Sequence, residues 1–233
     1  PDWVFPIIDA RDPAIVSATA LGHPLLPASI RVANDVTVGP ERTLLFVTGS
    51  NMAGKSTLLR AIGLNVVLAQ AGSVVCAEAM TCPPVLLHTS MRVQDSLARG
   101  VSYFMAELER LKLIVDAAEA VKESHQRKLM YLLDEILHGT NSAERLIAAR
   151  HVLVRLMDLG AIGAVTTHDL QLADASVLEH AAQHVHFQEV FSRSADGRAT
   201  MYFDYKLRPG KATSSNALKL LELVGLTTEG VNS

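Results

Sequence analysis

The sequence predicts an α/β fold: a mostly parallel central sheet with helices on both faces and antiparallel strands at its edge. Three apolar runs, residues 43–49 (TLLFVTG), 129–135 (LMYLLDE) and 161–167 (AIGAVTT), lack strict in-out alternation and read as strands covered on both sides. Between them lie segments whose apolar residues recur at three and four: Phe104, Leu108, Leu111, Val115 and Ala118, then Leu146, Ala149, Leu153 and Leu156. Strand alternating with helix implies right-handed crossovers and a parallel sheet. A chain of 233 residues with 49% hydrophobic side chains has the material for a sizeable core.

In chain order, the first 40 residues are proline-bearing and weakly patterned, and are expected to make edge strands beside the site. Residues 43–49 form the first buried strand, and a glycine-rich loop and a helix follow it. After the helices and strands around 104–167, HVHFQEVF and ATMYFDYKL flank SRSADGR, whose Asp196-Gly197 pair signals a hairpin. An apolar helix over about residues 215–224 (SNALKLLELV) closes the chain. There is no internal repeat or low-complexity linker, so residues 1–233 read as a single domain.

A formal charge of −3 argues against a broad basic surface, so any DNA contact is expected from segments outside this chain. Cys76 and Cys82 lack metal-ligand spacing and read as buried thiols in a reducing compartment, which puts the expected location in the cytoplasm. No apolar run reaches the roughly 18 residues that cross a bilayer. The start at Pro1, without a methionine, suggests a fragment of something longer.

The stretch GSNMAGKS carries Gly49, Gly54, Lys55 and Ser56 in the pattern G-x-x-x-x-G-K-[ST], after a strand and before a helix. Glycines let the backbone curl so that successive N–H groups converge on phosphate oxygens, and the helix adds the positive end of its dipole. Lys55 then reaches the β and γ phosphates. The Ser56 hydroxyl suits Mg²⁺, which prefers oxygen ligands and keeps several waters.

Hydrolysis also needs a carboxylate for the metal and a group to position water, and the strand 129–135 ends in Asp134 and Glu135. Asp134 is the candidate to support the metal shell, and Glu135 the general base. The next strand ends in VTTHDL, which brings His168 to the same sheet edge as a sensor of the γ-phosphate, or else as a capping or core histidine. The other eight histidines show no ligand spacing and read as ordinary surface or core residues.

With these motifs in hand, the chain resembles, over nearly its whole length, the ATPase domain of the MutS mismatch-repair family, within the wider ABC ATPase superfamily. TGSNMAGKST is similar to that family's phosphate loop, including Asn51 and Met52; DSLARGVSYFMAEL resembles its signature segment, with Ser102, Phe104 and Glu107 at matching places. LLDEILHGTNS is similar to its Walker B and dimer-facing loop, TTHDL to its histidine switch, and YKLRPGKATSSNALKLLELVGL to its C-terminal tail.

The resemblance implies a P-loop NTPase fold of ABC type, with ATP and Mg²⁺ as cofactors and a homodimer that sandwiches each ATP. It assigns phosphate contacts to Gly49, Ser50, Asn51, Met52, Ala53, Gly54, Lys55, Ser56 and Thr57, with Ala53 standing where the family commonly has glycine. Ser102 would be presented to the partner's γ-phosphate; read from the residues alone, it is a helix N-cap with or without a ligand. Gly139 to Ser142 would line the subunit contact, or else form a polar turn. Arg31 falls where repair proteins often place an aromatic beside adenine, and Tyr205 matches a second residue near the base; either is otherwise plain surface or hairpin packing. EILHGTNSAER departs from the usual EIGRGTS and looks more like divergent MutS-related ATPases.

The implied function is Mg-ATP binding and hydrolysis that drives conformational change in a mismatch-repair or related DNA-processing protein. The alternatives are a divergent or membrane-linked ABC-type ATPase outside mismatch repair, and a nucleotide-binding dimerisation switch with little turnover. Against the transporter reading, GVSYFMAEL stands where an LSGGQ-type signature would be.

Overall fold

The computed structural model describes residues 3–10, 14–39, 42–91, 103–124, 127–136, 142–174, 178, 181–193 and 199–212. Four strands come from the first forty residues: β1 (Trp3–Val4), β2 (Ile7–Ile8), β3 (Val16–Leu21) and β4 (Asn34–Val38). Strand β5 (Leu44–Thr48) leads into α1 (Lys55–Gln70), and β6 (Val75–Cys76), β7 (Ala79–Cys82) and β8 (Val85–Met91) follow. Next come α2 (Tyr103–Ser124), β9 (Lys128–Asp134), α3 (Ser142–Asp158), β10 (Ile162–Thr167) and α4 (Leu170–Ala173). The described chain ends with β11 (Ala182–His186), β12 (Glu189–Arg193), β13 (Ala199–Phe203) and β14 (Arg208–Pro209).

The central sheet has six strands in the order β14-β11-β5-β10-β9-β8, parallel from β11 to β8, with β14 antiparallel at the edge. Its strands are buried because successive side chains enter two different cores. Leu45 and Val47 of β5 and Met130 and Leu132 of β9 pack with Leu58, Leu59, Ile62 and Val66 of α1. Leu44 and Phe46, with Leu129, Tyr131 and Leu133, pack instead with Leu111 and Ile114 of α2 and Leu153 and Leu156 of α3. Each fully buried side chain of this size contributes roughly 1.5–3 kcal/mol, so these apolar runs hold the sheet between its two helical layers.

Two segments differ from the sequence expectation. The first forty residues do not edge the central sheet: β3 and β4 join β2 and β7 in a separate four-stranded sheet, ordered β2-β7-β3-β4. Strand β3 buries Val16 and Ala18 while Thr19 is exposed, the alternation of an antiparallel strand with one wet face. The run HVHFQEVF is not one strand, since β11 pairs in parallel with β5 whereas β12 starts at Glu189 and pairs antiparallel with β13. The hairpin strands are thus present, while Asp196 and Gly197, like the expected helix over 215–224, lie outside the described residues.

The topology opens a crevice. Strands β5 and β10 are neighbours, but β5 continues into α1 on one face and β10 into α4, whose Leu172 and Ala173 pack on the other. Where crossovers part to opposite faces, the carboxyl ends of the strands leave room for a ligand.

Candidate functional site

The loop after β5 turns through conformations that side chains disfavour. Gly49 has φ 143, and a Cβ there would lie 2.7 Å from the Phe187 carbonyl oxygen; Gly54 has φ 107 and caps α1 without a side-chain bond. Without a side-chain cap, the first amides of α1 are left as the orphan donors that a helix N-terminus can offer to an anion. Met52 is also left-handed, at φ 67, and is largely exposed. Lys55 is buried, and its ammonium donates to the Gly49 and Ser50 carbonyls, at 2.9 Å each. Ala53 turns its methyl into the core, whereas Asn51, Met52, Gly54, Lys55, Ser56 and Thr57 line the crevice.

The strand end of β9 meets this loop. The Ser56 hydroxyl lies 2.9 Å from Asp134 Oδ1, and Lys55 Nζ lies 3.3 Å from Glu135 Oε1. Asp134 is buried, and Thr166, its partner in the β9–β10 register, donates its hydroxyl to the same Oδ1 at 2.7 Å. The Glu135 amide donates to both the carbonyl and the hydroxyl of Thr166, at 3.1 and 3.0 Å. His168 Nδ1 is 3.6 Å from Glu135 Oε1, close enough for an ion pair when the ring is protonated. The next residue, Asp169, caps α4 through Gln171 and pairs with Arg145 of α3 at 2.9 Å. Lys55, Ser56, Asp134, Glu135 and His168 are therefore brought together.

Sequence reasoning missed Thr166, which reads as an ordinary β-former; only the register opposite Asp134 reveals its contacts.

The crevice widens into a cleft of about 840 Å³, within the roughly 300–1,000 Å³ typical of small-molecule sites. Beyond the loop and the acids it is lined by Leu26, Ile30, Val32, Asn34 and Tyr205. Tyr205 is held at φ 55, where its ring would meet a Cβ on Gly54 at 3.2 Å. Asn34 clamps that turn, donating to the Tyr205 carbonyl at 3.0 Å and accepting from the Leu207 amide at 2.7 Å.

Arg31 does not line the cleft; the residues on either side of it do. Its Nε donates to the Leu26 carbonyl at 3.1 Å, and its guanidinium lies 6.0 Å from the centroid of the Trp3 ring. His23 lines the cleft together with Arg60. Burial, then the guanidinium groups of Arg60 and Arg31, hold its imidazole below the usual histidine range, and Nδ1 accepts the Leu25 amide.

Ser102 and residues 139–141 lie outside the described residues, and Ser142 opens α3. Both cysteines are free and buried, as expected, and burial pushes the Cys82 thiol up to about 12. Among the described residues no helix is long and apolar enough to cross a membrane. None of them forms a cluster of three or more His, Cys, Asp or Glu that could hold a metal. A hydroxyl and one carboxylate beside a phosphate loop instead fit Mg²⁺, a cation bound by few protein oxygens plus phosphates and water.

Comparison with known proteins places this geometry in a family. The family model described as MutS domain V matches residues 45–233. The chain is 32% identical over 229 residues to the DNA mismatch repair protein MutS of Natronomonas pharaonis, covering 97% of this chain and 25% of that protein. It is 38% identical over 200 residues to the DNA mismatch repair protein MutS 2 of Halobacterium salinarum, covering 84% and 21%. It is 33% identical over 209 residues to MutS of an Exiguobacterium species, covering 88% and 24%. The chain thus spans about a quarter of the length of the curated relatives it matches. With the phosphate loop, the paired acids and the histidine inside the matched stretch, the chain belongs to the MutS family and corresponds to its domain V.

Proposed function

We propose that this chain is a P-loop NTPase module of ABC type that binds Mg-ATP and hydrolyses it between two subunits of a homodimer. The observation that carries this reading is the meeting of Lys55, Ser56, Asp134 and Glu135 at the open ends of β5 and β9. Amides of the loop and of the first turn of α1, with the Lys55 ammonium, gather the triphosphate. Mg²⁺, when bound, neutralises charge on the β and γ phosphates. Ser56 donates its proton to Asp134 and so keeps its oxygen lone pairs for the cation.

Glu135 is the group that orients and deprotonates the attacking water. Lys55 is shared between two carbonyls and Glu135, so a phosphate that draws the ammonium away releases the carboxylate for that task. His168 contacts the same carboxylate and is the group that registers the γ-phosphate. Hydrolysis then works chiefly by positioning and charge stabilisation. Tyr205, held beside Gly54, is the candidate base contact, and Ser102 of the partner subunit the group that closes the site.

The output we infer is a conformational change in a DNA mismatch-repair or related DNA-processing protein, with DNA contacted by other segments; membership of the MutS family supports this reading. Glu135→Gln tests the chemistry. Turnover is expected to fall about 100-fold or more while nucleotide still binds, so that ATP-loaded protein accumulates. A slow rate unchanged by the substitution would favour a binding switch over an ATPase.

A further inference from the structure

We propose that Thr166 is a positioning residue for the metal step: its one hydroxyl fixes the Asp134 carboxylate for the cation and the Glu135 backbone for the water. The inference rests on the Mg-ATP reading above. Thr166 is fully buried on β10, directly opposite Asp134 in register. A hydroxyl has one proton and two lone pairs, and both capacities are used here. The proton goes to Asp134 Oδ1 at 2.7 Å, and a lone pair takes the Glu135 amide at 3.0 Å.

Ser56 also reaches Oδ1, so two hydroxyls converge on one carboxylate oxygen, and among the described residues no hydrogen bond reaches Oδ2. A carboxylate held this way keeps its rotamer when the cation arrives, which is how an outer contact tunes a metal site. The second bond has a different use. Glu135 sits at φ 51, a left-handed backbone that a glutamate occupies only when its surroundings insist on it. Two acceptors on Thr166, hydroxyl and carbonyl, hold its single amide there. Thr166 thus ties the metal-supporting acid and the water-orienting acid to one point of the neighbouring strand.

The test compares parent, Thr166→Val, Thr166→Ser and Lys55→Ala in the full chain. The first readout uses no turnover: Mn²⁺ binding, followed by electron paramagnetic resonance, in the presence of a non-hydrolysable ATP analogue. Thr166→Val, which keeps the shape and loses the hydroxyl, is expected to weaken Mn²⁺ at least about tenfold, with metal-free nucleotide affinity unchanged. It is also expected to lower kcat about 10- to 100-fold with little change in KM for ATP, and Thr166→Ser to restore both.

Parent-like Mn²⁺ binding and kcat in Thr166→Val would overturn the proposal. Failure of Thr166→Ser alongside Thr166→Val would do the same, because it would make the methyl group, not the hydroxyl, the part that matters. Should Thr166→Val not fold, Thr166→Ala supplies the same loss of hydroxyl. If parent and Lys55→Ala turn over equally, the hydrolysis reading itself fails, while the Mn²⁺ measurement still decides whether Thr166 orients Asp134.

Discussion

Two side chains at the site, Met52 at φ 67 and Glu135 at φ 51, hold backbones that cost on the order of 1–3 kcal/mol each. Tyr205, at φ 55, is a third, and what holds it there is the Asn34 amide. Asn34→Ala removes both clamp bonds, whose loss is worth about 1–2 kcal/mol. Affinity for a non-hydrolysable ATP analogue is therefore expected to fall roughly 5- to 30-fold, as titration calorimetry would measure. An unchanged Kd would exclude Tyr205 as a ligand contact.

The residues of the loop after β5 and of the β9 end were legible because glycine at 49 and 54 and the acids at 134 and 135 encode backbone shape and charge at fixed offsets. The far side of the cleft was not legible, since Ile30 and Val32 line it while Arg31 between them turns to Leu26, a matter of local geometry without periodicity. Thr166 was hidden for another reason: its meaning lies in which residue stands opposite it on the next strand.

Among the elements, β5, β9, β10, α2 and α3 were readable because each serves one of two dry cores and carries its burial as a pattern. The strands of the first forty residues are short and lie in another sheet, so their pattern is weak. The turn between β13 and β14 was read only as the end of a hairpin run. There Arg208 hydrogen-bonds Asp204 and holds its carboxyl below the usual range, while Asp204 also accepts the Lys206 amide.

A folded-state value depressed in this way stabilises the fold above the unfolded value of roughly 4, and the contribution is lost as pH falls through the folded value. Asp204→Asn is expected to lower Tm at neutral pH. The gap to the parent should close below about pH 4. Thermal unfolding followed by circular dichroism at a series of pH values checks both the sign and the window; a gap that widens on acidification would contradict it.

At the scale of the whole molecule, the sheet order decides where chemistry can occur. β5 lies between β10 and β11, and the helices that follow β5 and β10 leave on opposite faces. The phosphate loop, the paired acids and His168 all sit at the ends of β5, β9 and β10, at the mouth of that division. The hydroxyl of Thr48, last residue of β5, accepts the Ala212 amide at 2.9 Å. The stretch that leads toward the C-terminus is therefore fastened to the strand that leads into the phosphate loop.

The most direct test of this account is ATP turnover by Lys55→Ala beside the parent chain, with nucleotide binding measured on the same samples. Turnover is expected to fall at least about 100-fold, and triphosphate affinity to drop with it. Turnover and affinity equal to the parent would contradict the site at the end of β5.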